Sequence, residues 1–132
     1  MNFISILFLV HTFSIQEPKV KKIEDINQIE ILNSIDNFKQ YHTNSFKVNL
    51  FRVSTTDSSQ SQRFPTVKYI IGVLNYSDSK SSGLFEAGSF YNPEIVEGVR
   101  LKNILRITLE HGEYSNRTSS TLMISRDGVT IE

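Results

Sequence analysis

Residues 23–41 read IEDINQIEILNSIDNFKQY, a run uninterrupted by Gly or Pro. Whether this stretch is helix or strand decides the fold class, because most of the chain after Tyr41 reads as β. Its apolar residues Ile23, Ile26, Ile29, Ile31, Leu32, Ile35 and Phe38 look helical at first sight. Steps of three advance about 300° at about 100° per residue, however, so the early series precesses round a helix and holds no single face. Ile31, Ile35 and Phe38, spaced i, i+4 and i+7, do form one stripe. The spacing predicts a helix over about Asn33 to Tyr41, with Asn33 or Ser34 as its N-cap. Asp25 and Gln28 resemble a capping box that extends the helix back to Ile26, and a short strand over Ile29 to Leu32 competes with that extension.

Downstream the period changes to two. Phe46, Val48 and Leu50 alternate, and the switch to Phe51 and Val53 predicts a bulge or bend. Residues 54–63 form a Ser-rich segment with no hydrophobic side chain, expected as an exposed loop. Val67 to Tyr76 is apolar on both faces, which suits a central strand covered on both sides. Leu84 to Tyr91 reads as a strand stopped by Asn92-Pro93, and Glu94 to Leu101 as an irregular connection around Gly98. The clearest alternation sets Leu105, Ile107 and Leu109 against Arg106, Thr108 and Glu110, a strand with one buried and one wet face. Thr121 to Ser125 and Val129 to Ile131 form a last hairpin with Asp127-Gly128 as its turn. The expected fold is therefore α+β, with one N-terminal helix packed on a mainly antiparallel sheet of five or six strands.

Upstream, Phe3 to Val10 is a hydrophobic run of signal-peptide length, too short to span a bilayer comfortably, and Thr12 and Ser14 are spaced as a signal peptidase requires. Residues 1–14 are expected to be an export signal cleaved after Ser14, although its n-region has no Lys or Arg. Residues 15–22, which include Pro18, then form a linker, and 23–132 a single domain. The expected localisation is secreted or periplasmic, with no stable membrane span once the signal is removed.

Composition narrows the function classes. The chain has 132 residues, 14 Lys and Arg against 14 Asp and Glu, and no run of like charge beyond the short Lys19 to Lys22 cluster, so no electrostatic footprint for nucleic acid appears. Cysteine is absent, which excludes disulfides, thiolate metal sites and a cysteine nucleophile.

Chemistry-bearing residues are sparse. Beyond the signal the histidines are His42 and His111, and His111 is flanked by Glu110, Gly112 and Glu113, a carboxylate–imidazole grouping that a general base or a metal-assisted hydrolase could use. Adjacent residues of a strand point to opposite faces, which separates Glu110 from His111 unless the strand has ended. Glu86, Glu94 and Glu97 lack any sequence sign of a defined carboxylate pair. No Gly-x-Ser-x-Gly elbow and no phosphate loop occurs, and Lys80 spoils the calcium-loop likeness of residues 78–83. No metal site or cofactor is implied. Asn75 and Asn116 begin N-glycosylation sequons, at the frequency chance yields in a chain rich in Asn, Ser and Thr. Phe90 and Tyr91 place two aromatic rings where a strand meets a Pro-terminated turn, a location suited to recognition, with one of the pair expected in the core.

Two functions emerge as expectations. The first is an exported, non-catalytic domain that binds a protein or cell-envelope partner. The alternative is a small extracellular hydrolase using His111 with Glu110 or Glu113. A cleft that gathers His111, His42 and two carboxylates favours the enzyme, and dispersed side chains with an exposed aromatic patch favour the binder.

Overall fold

The computed structural model describes residues 17–25, 39–55, 64, 66–78, 80 and 82–132. They contain nine strands: β1 (Lys19–Ile23), β2 (Lys39–His42), β3 (Phe46–Thr55), β4 (Thr66–Asn75), β5 (Gly83–Tyr91), β6 (Glu94–Leu101), β7 (Ile104–Glu113), β8 (Asn116–Ser125) and β9 (Gly128–Ile131). All pairings are antiparallel. One sheet has the order β1-β5-β4-β3-β2 and the other β6-β7-β8-β9. The chain passes from the first to the second through Asn92 and Pro93, between β5 and β6.

Alternation along each strand builds the sandwich. On the first sheet Val48 lies opposite Val73, Leu50 opposite Ile71, Ile71 opposite Phe85, Tyr69 opposite Ala87 and Val67 opposite Phe90, so these side chains share one face. They meet Leu105, Ile107, Leu109, Leu122, Ile124 and Val129 of the second sheet in one hydrophobic core. Burying a Val, Leu, Ile or Phe side chain contributes about 1.5–3 kcal/mol. With no cysteine in the chain, this packing and the sheet hydrogen bonds hold the fold.

Some sequence expectations survive and others do not. Leu105, Ile107 and Leu109 are fully buried while Arg106, Thr108 and Glu110 are half-buried, as the alternation of β7 requires. β4 is the central strand of its sheet. On the face of that sheet turned away from the core Asn49, Gly72 and Leu84 are buried, but Ile70 and Leu74 of β4 are only half-buried and Tyr76 is 52% exposed, so the second face is covered in part.

The α+β expectation is overturned, because the described residues contain no helix and form two antiparallel sheets. Of the expected helix, residues 33–38 lie outside the described residues, as does the extension over 26–32. Lys39 to Tyr41, expected as its last turn, belong to β2 and pair with Leu50, Asn49 and Val48 of β3. Tyr41 faces the core and its ring seats on Gly98 of β6, where a Cβ would lie only 3.1 Å from Tyr41 Cε1. Pairing along β3 and this seat outweigh the helical stripe, a local preference worth little against sheet hydrogen bonds and burial.

Further corrections follow from the strand pairing. Lys19 to Lys22, within the expected linker, are strand β1 against Gly88 to Phe85. Glu94 to Leu101 is not an irregular connection but edge strand β6. A register shift between Ile95 and Glu97 breaks its alternation, and that break hid it. The bulge expected at Phe51 is absent, since β3 and β4 pair in unbroken register from Phe46 opposite Asn75 to Thr55 opposite Thr66. The last hairpin exists, but its two-residue turn is Arg126-Asp127, with Ser125 opposite Gly128. Residues 1–16, with the expected signal, and 56–63, most of the expected Ser-rich loop, lie outside the described residues.

Candidate functional site

β7 runs to Glu113, and its alternation of faces holds through His111 before Gly112, with φ of 109°, interrupts it. His111 continues the inward row of Leu105, Ile107 and Leu109, whereas Glu110 faces outward with Arg106 and Thr108. The imidazole packs at 5.2 Å against the ring of buried Phe90, and Nε2 lies 2.9 Å from Ser120 Oγ on β8. Partial burial lowers its pKa below the ordinary 6.5, and the positive charge of Arg117 lowers it further. The ring is therefore mainly neutral at pH 7.

His42 occupies the other end of the sandwich, near Ser45 and Asn75. Its Nδ1 is 2.7 Å from the Tyr76 hydroxyl and its Nε2 2.9 Å from Gln40 Oε1. The two histidines are thus not brought together. Among the described residues no group of three His, Asp or Glu is placed to hold a metal ion. No helix among them is long and apolar enough to cross a membrane.

What the fold gathers instead is a set of rings and charges where the β5–β6 corner meets the β7–β8 hairpin. Phe90 is fully buried, and its neighbour Tyr91 turns the other way, half-buried. The Tyr91 hydroxyl donates to Glu113 Oε1 at 3.1 Å. Phe64, just before β4, meets the Tyr91 ring at 6.0 Å and 64° and the Tyr114 ring at 5.2 Å and 89°. Such edge-on geometry aligns the positive rim of one ring with the negative face of another. Tyr114, in the two-residue turn of the hairpin, remains 70% exposed.

Arg117 organises the charges of this end. Only 15% of its side chain is exposed, and Nη2 donates to the carbonyl oxygens of Glu110, at 2.6 Å, and Asn92, at 3.2 Å. Asn92 has φ of 46°, a left-handed conformation that Asn tolerates better than most residues, and it turns the chain from one sheet to the other. Arg117 therefore ties that corner to the hairpin. Its Nε lies 3.6 Å from Glu110 Oε2 and its Nη2 3.9 Å from Glu94 Oε2, ion-pair distances too long for hydrogen bonds. Glu94 and Glu110 are direct cross-strand partners, a like-charge arrangement that costs stability unless a cation lies between them. The Arg117 guanidinium also lies 5.7 Å from the centroid of the Tyr114 ring. Gly112, with φ of 109°, permits the backbone turn before Glu113, where a Cβ would lie 2.8 Å from Asn116 O.

Glu113, Tyr91 and, through Arg117, Glu110 thus belong to one cluster, while Phe90 and His111 form the core beneath it. Asn116 is exposed opposite Glu113. Asn75 is 5% exposed at the other end, where its Nδ2 donates to Arg126 O at 3.4 Å. Sequence reasoning missed Phe64, Tyr114 and Arg117. The available signal was the hairpin closing Glu113 to Asn116, which the continued β pattern on either side could have exposed.

The chain matches no protein-family model, no curated protein and no solved structure.

Proposed function

We propose that the protein is an exported, non-catalytic binding domain that docks a partner on the ring cluster of Phe64, Tyr91 and Tyr114. The observation that carries this reading is Tyr114, left 70% exposed while its ring is braced by Phe64 and by the guanidinium of Arg117. A tyrosine held in this way offers a rigid, amphipathic contact area and loses little entropy when it is covered. The hydrolase alternative gains no comparable support, because Glu110 and His111 turn to opposite faces of β7 and the Glu113 carboxylate is engaged by Tyr91.

The test is a paired capture from culture fluid and cell envelope with the full chain, wild type against Tyr114→Ala. The reading expects a protein retained by wild type and lost from the variant. A lone monomer that turns over a substrate overturns it. Export is tested separately by the first residue of the protein recovered outside the cytoplasm. Residue 15 is expected there, and a cytoplasmic product that keeps Met1 sinks that part.

A further inference from the structure

We infer that this aromatic end takes a cation, an arginine or lysine side chain from a basic segment of a partner protein. The inference rests on the docking reading above and adds what selects the partner. Among the described residues, three carboxylates gather at this end, Glu113 on the Tyr91 hydroxyl and Glu94 and Glu110 about the one guanidinium, that of Arg117. Arg117 gives its hydrogen bonds to backbone carbonyls, so its pairings with Glu94 and Glu110 are electrostatic and longer than a hydrogen bond. The side chain of Glu94 is 72% exposed and that of Glu110 47%, which leaves carboxylate oxygens accessible to incoming N–H donors.

Tyr114 supplies the second half of the chemistry. Arg117 already lies near its ring, so this tyrosine serves as a cation seat within the protein itself. A second cation beside the exposed ring meets the negative face of an aromatic system with carboxylates close by, the pairing that favours guanidinium and ammonium groups. The cross-strand opposition of Glu94 and Glu110 fits this, because a partner's positive charge relieves repulsion that a single arginine offsets only in part. An acidic partner meets three carboxylates here, and an apolar one covers them without satisfying them.

The experiment titrates the full, isotope-labelled chain with a capped Gly-Arg-Gly-Arg-Gly peptide and follows backbone amide shifts. The control peptide carries citrulline for arginine, which keeps shape and most donors but removes the charge. The arginine peptide is expected to move the amides of Tyr91, Glu113, Tyr114 and Arg117, and the shifts are expected to fade as salt rises from about 20 mM to about 300 mM. Tyr114→Ala and Glu113→Gln should each weaken the response about three-fold. In Glu113→Gln the amide oxygen still accepts from Tyr91, and unchanged shifts elsewhere in the spectrum establish that both variants fold. If citrulline matches arginine, cation selection is wrong while the docking reading stands. Shifts scattered over the surface, or none at this end, overturn the inference, and the paired capture with Tyr114→Ala then decides the docking reading on its own.

Discussion

The two ends of the sandwich are built from the same strands yet resolve their polar groups differently. At the end holding His42, polar groups are satisfied in separate pairs, some within one turn and some between neighbouring turns. Thr43 Oγ1 accepts from the amides of Ser45 and Phe46, Tyr76 N donates to Ser45 O, and Asn75 N donates to Ser82 Oγ. A cavity of about 300 Å³ lined by Ser45, Phe46, Asn103, Ser125, Arg126 and Asp127 lies there, and Arg126 pairs with Asp127 at 3.5 Å. At the Tyr114 end, one shielded arginine serves two carbonyls, two carboxylates and a ring. Separate pairs can be lost one at a time, whereas a shared cation couples a corner, a hairpin and a surface, so one substitution there reaches all three.

The largest expected effect tests whether the ends are equally supported from below. Phe90, under the Tyr114 end, and Phe46, under the other, are both fully buried. Phe90→Ala and Phe46→Ala should each cost about 3–5 kcal/mol by chemical denaturation. A Phe90→Ala cost below about 1 kcal/mol would show that the Tyr114 end is not anchored in the core. Next comes the contrast between arginines. Arg117→Ala removes hydrogen bonds to two carbonyls and leaves Glu94 opposite Glu110, for an expected loss of about 2–3 kcal/mol. Arg126→Ala, at a side chain 62% exposed, should stay within about 0.5 kcal/mol. Equal losses in the two variants break the comparison.

A smaller effect separates the ends by pH. The folded pKa of His111 is lowered below its ordinary 6.5, so the unfolded chain binds this proton more readily. The neutral ring's contribution is fully present above about pH 6.5 and is lost as the pH falls below that value toward the folded pKa. His111→Gln keeps a polar partner for Ser120 and removes the titration. Urea midpoints at about pH 7.5 and about pH 5 should differ less in this variant than in the wild type. An unaltered difference shows that His111 titrates alike folded and unfolded. The smallest expected change in stability is that of Tyr114→Ala, within about 0.5 kcal/mol, since the ring is mostly in solvent. A larger loss means that the ring is structural, and it weakens the docking reading.

These contrasts also mark how far residues can be read in isolation. The rule that neighbours on a strand face opposite ways separated Glu110 from His111 and sent one of Phe90 and Tyr91 into the core. His111 and Glu113 were visible because each stands beside another polar group in sequence. Arg117 was not, since its partners Glu94 and Glu110 lie on other strands and Asn92 in the corner between β5 and β6, and they approach it only through the β6–β7 and β7–β8 registers. Phe64 likewise reaches Tyr91 and Tyr114 from outside their own strand and hairpin.

The amino-acid sequence by itself determined the absence of disulfides, the inward row of β7, the central place of β4 and the antiparallel hairpin at the C-terminal end, because composition and a period of two are properties of a few neighbouring residues. Only the tertiary structure decided that Lys39 to His42 are strand, that Glu94 to Leu101 form an edge with a register shift, and that the β strands make two sheets. Each of those outcomes depends on which other strand's backbone supplies hydrogen bonds and which opposite surface, as at Tyr41 on Gly98, receives the side chain.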